Sequence, residues 1–118
     1  MRTGTMPEQG DILLVPIPFT DLSSQKRRPV IVVSNNVYNY KTTDLIVVAM
    51  TSNPVEVDYS FSITSSDLEK GTLNHPGKVR VDKIYTISKS IVVKTFGRVN
   101  GKIMERIRGE LQSLTAKK

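Results

Sequence analysis

Five side chains in this 118-residue chain have the chemistry to work together on a phosphodiester: Arg28, Thr51, Ser52, Arg80 and Asp82. Each falls where an apolar run starts or stops. The planar fork of an arginine matches phosphate oxygens two at a time, and a threonine or serine hydroxyl is a compact donor. A carboxylate can accept a proton, most effectively beside cations that fix its position. RNA can be cut without a metal when the 2′-hydroxyl attacks the adjacent phosphate. A protein must then supply a base for that proton, a proton for the leaving 5′ oxygen, and positive charge for the phosphorane. Arginine keeps its proton to a pKa above ~12, which suits it to the electrostatic role better than to that of an acid. The same residues also have a plainer reading. Arg80 and Asp82, two apart on a strand, would share a face and form a surface ion pair worth under about 1 kcal/mol, while Thr51 would open a turn.

The elements that carry these residues are short. "DILLVPIPF" reads as a strand ending at Pro16 and Pro18, because proline cannot donate to a sheet ladder. The loop "TDLSSQKRR" follows, crowding Lys26, Arg27 and Arg28 against Pro29. "PVIVVS" and "LIVVAMTS" are β-branched runs too short for helices and read as buried strands. Between them "NNVYNYKTTD" holds at most one helical turn. "VEVDYSFSI" alternates, with Val55, Val57, Tyr59, Phe61 and Ile63 on one face, as a half-buried antiparallel strand does. "TSSDLEKGTLNHPG" reads as a long polar loop, and its His75 as a turn residue. "KVRVD" points Val79 and Val81 inward and sends Lys78, Arg80 and Asp82 to the other face. "KIYTIS" is ambiguous, and "IVVKTFGRV" is a strand ending near Gly97.

From Asn100 the period changes to helical. Asn100 is a candidate N-cap, and Ile103, Ile107, Leu111 and Leu114 form an apolar stripe, read as core beneath a small barrel. The expected fold is mainly β: a small, SH3-like antiparallel barrel of about five strands with a C-terminal amphipathic helix. Residues 1–9 read as a polar, flexible lead-in and residues 10–118 as a single domain.

Seventeen Lys and Arg against eleven Asp and Glu leave a net charge of +6, which favours an anionic partner. The absence of cysteine excludes disulfides and thiolate chemistry. One histidine and scattered carboxylates do not make a metal site, and no phosphate-cradling glycine loop is present. No apolar run reaches the ~18 residues of a spanning helix, and the N-terminus lacks the apolar core of a secretory signal. A cytoplasmic protein without cofactor, metal or membrane association is expected.

"GDILLVPIPFTD", "RRPVIVVSN", "LIVVAMTS" and "VRVDKIYTIS", in that order and over nearly the whole chain, resemble the MazF/PemK family of type II toxin–antitoxin endoribonucleases. The resemblance implies a homodimeric, metal-independent toxin that cuts single-stranded RNA, leaves 2′,3′-cyclic phosphate and 5′-hydroxyl ends, and is silenced by a cognate acidic antitoxin. By position it implies catalytic roles for Arg28, Thr51, Arg80 and Asp82. Gln25, Lys26, Arg27, Ser52 and Lys78 become the expected RNA contacts. Unstacked bases need rings, and Phe19, Tyr38, Tyr40, Tyr59 and Phe96 lie near polar loops; Phe19 and Tyr38 are the ones expected to be exposed. The first loop departs from the family pattern. Only Gln25 matches there, and the acid or histidine that many members place before Arg-Pro is missing. That gap keeps open an alternative: a non-catalytic SH3-like module that binds nucleic acid or peptide.

Overall fold

In the computed structural model, which describes residues 6–16, 26–53 and 56–118, seven strands join in one antiparallel sheet followed by a helix. In chain order the elements are β1 (Asp11–Pro16), β2 (Arg27–Val32), α1 (Asn36–Lys41), β3 (Asp44–Thr51), β4 (Ser60–Ile63), β5 (Leu68–Gly71), β6 (Gly77–Ser88), β7 (Lys94–Val99) and α2 (Gly101–Thr115). The strand order is β4-β6-β3-β2-β1-β7-β5. Strands β4 and β5 therefore form opposite edges, six strand spacings or roughly 29 Å apart in a flat sheet. Only residues 64–67 separate them in sequence. Five extended residue steps cover at most about 18 Å, so the sheet must curl. It curls into a half-barrel, the mainly β, strongly curved antiparallel fold expected but with seven strands rather than about five, and α2 packs across it.

Alternation divides the core between the two faces of this sheet. Ile12, Ile31, Val48 and Val79 face α2 and pack with its Ile103 and Ile107. Leu13, Val15, Val30, Val32 and Val47 form a second buried cluster on the opposite face. Asn100 caps α2 as expected, its side chain accepting a hydrogen bond from the Ile103 N–H at 2.9 Å. Ile103 and Ile107 are buried and Leu111 is half-buried, so the apolar stripe is core.

The opening Gly-Asp pair is an anchor. Gly10 takes φ +92, a left-handed conformation natural to glycine. It delivers Asp11, 5% exposed, to accept from Arg98 Nε at 2.7 Å and from the Glu8 N–H at 2.8 Å. Arg98 also reaches Glu8 at 3.2 Å and Glu69 at 3.6 Å, tying β7 to β1 and β5. The Asp11 hydrogen bond holds the Arg98 guanidinium above its ordinary pKa. Residues 6–9, part of the lead-in expected to be flexible, are held as well. Pro7 is buried, and Gln9 donates to Asn36 Oδ1 at 2.8 Å and to the Val33 carbonyl at 2.9 Å.

Several elements differ from their sequence reading. The expected strand over "VEVDYSFSI" is real only for Ser60–Ile63. Tyr59 stands at φ +62, an uncommon conformation for an aromatic residue, and turns the chain so that Val57 is 36% exposed. The polar loop contains β5, an edge strand. "KVRVD" and "KIYTIS" are a single twelve-residue strand. Finally, β2 begins at Arg27, so Arg27 and Arg28 belong to the ladder, opposite Pro16 and Val15 of β1.

Candidate active site

Strands β2, β3 and β6 are adjacent, and their register places the candidate residues. Val30 pairs with Ala49 and Val32 with Val47; the same register carried two residues outward sets Arg28 level with Thr51. Thr51 pairs with Lys78, and Ala49 with Arg80. Residues two apart on a strand share a face. Arg28 therefore lies on the side of Val30 and Val32, Thr51 on the side of Val47, and Lys78 and Arg80 opposite Val79 and Val81. All four project from one face at one end of the sheet. Arg28 and the β6 residues are two strand spacings apart, about 10 Å, a gap that two long arginine side chains can close from either side onto one phosphate.

Asp82 joins this group through a bulge. Val48 pairs with Ile84, yet the next residue, Ala49, pairs with Arg80, so Val81, Asp82 and Lys83 lie between successive β3 partners. The loosened segment is steadied from the turn just before β4, where the Tyr59 carbonyl accepts from the Val81 N–H at 2.9 Å. Arg80 grips Asp82 with two hydrogen bonds, Nε to Oδ1 at 2.9 Å and Nη2 to Oδ2 at 2.8 Å. That grip holds the Asp82 carboxyl below its ordinary pKa and the Arg80 guanidinium above its own. Asp82 is thus ionised, the form a base requires, but weak while clamped. Arg80 is the poorer acid for the same reason, which favours an electrostatic role. Thr51 does open a turn, its Oγ1 accepting the Asn53 N–H at 3.1 Å. The hydroxyl proton remains available to a phosphate oxygen.

The expected RNA contacts divide. Gln25 lies outside the described residues, as does Phe19. Lys26, Arg27 and Ser52 are exposed. Lys78 is not: it is 6% exposed, and its ammonium is bonded to Glu56, a strongly exposed carboxylate on the β3–β4 connection. Lys78 holds the Glu56 pKa below its ordinary value. Tyr38 and Tyr40 belong to α1, beyond the far end of β2, roughly 20 Å from Arg28 at about 3.3 Å per strand residue. Phe61 is core, 5% exposed, with the Arg106 guanidinium 4.1 Å above its ring.

Sequence reasoning missed the Glu56 cap on Lys78 and a cavity of about 270 Å³ beside Thr51 and Ser52. Pro29, Leu73 and Phe96 give that cavity apolar walls, and Asn74 and His75 lie at its edge. It also gave no role to Ser60 and Ser62, paired with Arg80 and Lys78, although the alternation of "VEVDYSFSI" had put both serines on the polar side. His75 is a turn residue, as its sequence context predicts, in the β5–β6 connection, but no sequence signal tied it to the cavity. Among the described residues, no cluster of His, Cys, Asp or Glu could hold a metal ion. No described helix is long and apolar enough to cross a membrane.

A curled antiparallel half-barrel with a C-terminal helix, carrying arginine, hydroxyl and carboxylate groups on one face at the strand ends, defines a structural class, and comparison with known proteins identifies it. Residues 8–115 match the family model described as the PemK-like, MazF-like toxin of type II toxin–antitoxin systems. The chain belongs to the PemK/MazF toxin family. A mycobacterial endoribonuclease, solved in complex with its cognate antitoxin, is 25% identical with a TM-score of 0.73, the match covering 91% of this chain and 92% of that one. The MazE–MazF structure from Deinococcus radiodurans is 20% identical with a TM-score of 0.75, covering 93% of this chain and 96% of its own, and supports the fold. The search of curated proteins returned no match.

Proposed function

We propose that this chain is a sequence-selective endoribonuclease toxin that cuts single-stranded RNA without a metal, acting in the cytoplasm as a homodimer and restrained by an acidic antitoxin. The observation that carries this reading is the placement of Arg28, Thr51 and the Arg80–Asp82 pair on one face of three adjacent strands. In the reaction Asp82 takes the proton of the 2′-hydroxyl, the O2′–P bond forms, and the P–O5′ bond breaks. The departing 5′ oxygen takes a proton from solvent water, which leaves a 2′,3′-cyclic phosphate and a 5′-hydroxyl. Arg28 and Arg80 offset the charge of the phosphorane, and the Thr51 hydroxyl donates to one of its oxygens. A phosphate arriving at Arg80 competes with Asp82 for the guanidinium. Its arrival therefore releases the carboxylate as a stronger base at the moment it is needed.

The test is incubation with single-stranded RNA in excess EDTA, followed by analysis of the fragment ends. Cyclic phosphate and 5′-hydroxyl termini are expected. Tight binding with intact RNA would instead favour the non-catalytic module.

The clamp has a pH signature. Arg80 depresses the Asp82 pKa, so the pair stabilises the fold above the unfolded carboxylate value of about 3.9. That contribution is lost as pH falls through the lower folded value. In Arg80→Met the Asp82 carboxyl, followed by NMR titration, is expected to shift upward toward the ordinary value; an unchanged titration would sink the clamp. Glu56→Gln tests the second internal ion pair. Freeing the Lys78 ammonium is expected to tighten binding of uncleavable 2′-O-methyl RNA and to steepen the dependence of log K on log salt by about 0.7. An unaltered slope would mean that Lys78 makes no phosphate contact.

A further inference from the structure

We propose that the cavity beside Thr51 receives one nucleobase flanking the bond to be cut, and that His75 reads the edge of that base. The proposal rests on the endoribonuclease reading above and adds a determinant of specificity to it. The cavity shares Thr51 and Ser52 with the candidate site and is otherwise walled from the face of the sheet opposite Arg28, so a nucleotide whose phosphate lies at Thr51 would pass its base over the end of the strands into it. At about 270 Å³ it falls just below the range of roughly 300–1,000 Å³ usual for small-molecule sites. That size suits one planar ring system better than a larger ligand.

The lining matches the two needs of base recognition. Pro29, Leu73 and Phe96 provide apolar and aromatic surface against which any base can lie flat. Asn74 and His75, both exposed at the rim, carry donors and acceptors of the kind that bond the Watson–Crick or Hoogsteen edge of a splayed-out base. Charge fits as well. The Lys94 ammonium stands 5.0 Å from the centroid of the Phe96 ring, and Arg27, two residues before Pro29 on β2, shares its face of the strand. A sugar–phosphate chain entering or leaving the cavity meets a cation on either side.

The test uses the full chain and two variants, His75→Ala, which removes the edge contact, and Thr72→Trp, which crowds the exposed rim. With a fully degenerate single-stranded RNA, sequencing of the cut ends should show a preference for one base at a position beside the cut. His75→Ala is expected to reduce that preference by roughly tenfold, with Thr72→Trp slowing cleavage. In parallel, amide NMR shifts of Thr72, Leu73, Asn74, His75 and Gly77 are followed with a degenerate 2′-O-methyl hexanucleotide pool, which cannot be cut, and with an abasic hexanucleotide. The base-bearing pool should move these amides and the abasic strand should not. If wild type cuts but both variants keep its pattern and rate, the base pocket is overturned and the nuclease reading stands. If wild type does not cut yet the base-bearing pool alone moves the amides, the pocket stands and the nuclease reading falls. Neither cutting nor shifts would overturn both.

Discussion

Arg28→Ala is expected to lower single-turnover RNA cleavage by about 10²–10³-fold, and Arg28→Lys to recover only part of that loss. Because Arg28 pairs with Val15 inside the sheet, its backbone is fixed, and its half-buried side chain emerges level with Thr51. A guanidinium held in place and partly screened from water stabilises developing phosphorane charge more than a mobile surface cation does. Lysine would keep the charge but not the two-pronged match to phosphate oxygens. Lys26 and Arg27 offer a contrast. Both are exposed at the strand entrance, so replacing either with alanine should weaken binding and reduce the salt slope while leaving the chemical step nearly unchanged. Single-turnover kinetics at saturating protein separates the two effects. A cleavage rate near wild type in Arg28→Ala would remove the residue from the chemistry.

The second large effect is on the fold. Gly71→Ala is expected to destabilise the protein by about 2–5 kcal/mol, lowering Tm by on the order of 10 °C. Gly71 sits at φ +81, where a side chain strains the backbone. It lies directly opposite Gly97, and the two backbones touch because neither residue has a side chain. A Cβ at Gly71 would collide with the Phe96 carbonyl oxygen and stand 2.9 Å from the Gly97 Cα. Backbone cannot swing aside as a side chain can, so β5 would have to part from β7. Phe96 and the β5–β6 turn would move with it, and the cavity wall would be lost. Thermal unfolding followed by circular dichroism checks this; an unchanged Tm would show that the edge pairing contributes little.

What was legible in the sequence follows from how local each signal is. β1, β3 and α2 announce themselves because burial requires apolar residues at the period of the element, and Asn100 marks the helix start. "LEKG" has no such pattern. It becomes β5 through pairing with β7 and the side-chain-free Gly71–Gly97 contact, both long-range facts. In β6 the stretch from Ile84 to Ser88 is strand because β3 supplies partners, despite its mixed composition. "VEVDYSFSI" misled in the other direction, since alternation says nothing of a turn at Tyr59. Within the candidate site, Arg28, Thr51, Arg80 and Asp82 lie on or beside strands and could be singled out from type and spacing. Glu56 and His75 are brought in by connections whose course is set by the curled sheet, and no local pattern reveals them.

That curl has a further consequence. The 64–67 connection works as a clasp, holding together the two margins of a sheet that would otherwise stay open. Both margins are four-residue strands, too short to make a good template for a foreign strand, and they sit close to one another rather than at opposite ends of a ribbon. A cut in the clasp would leave every strand pairing of the sheet in place. It would remove the tether that holds the two borders near one another, so a nicked molecule is expected to open more readily than the intact chain.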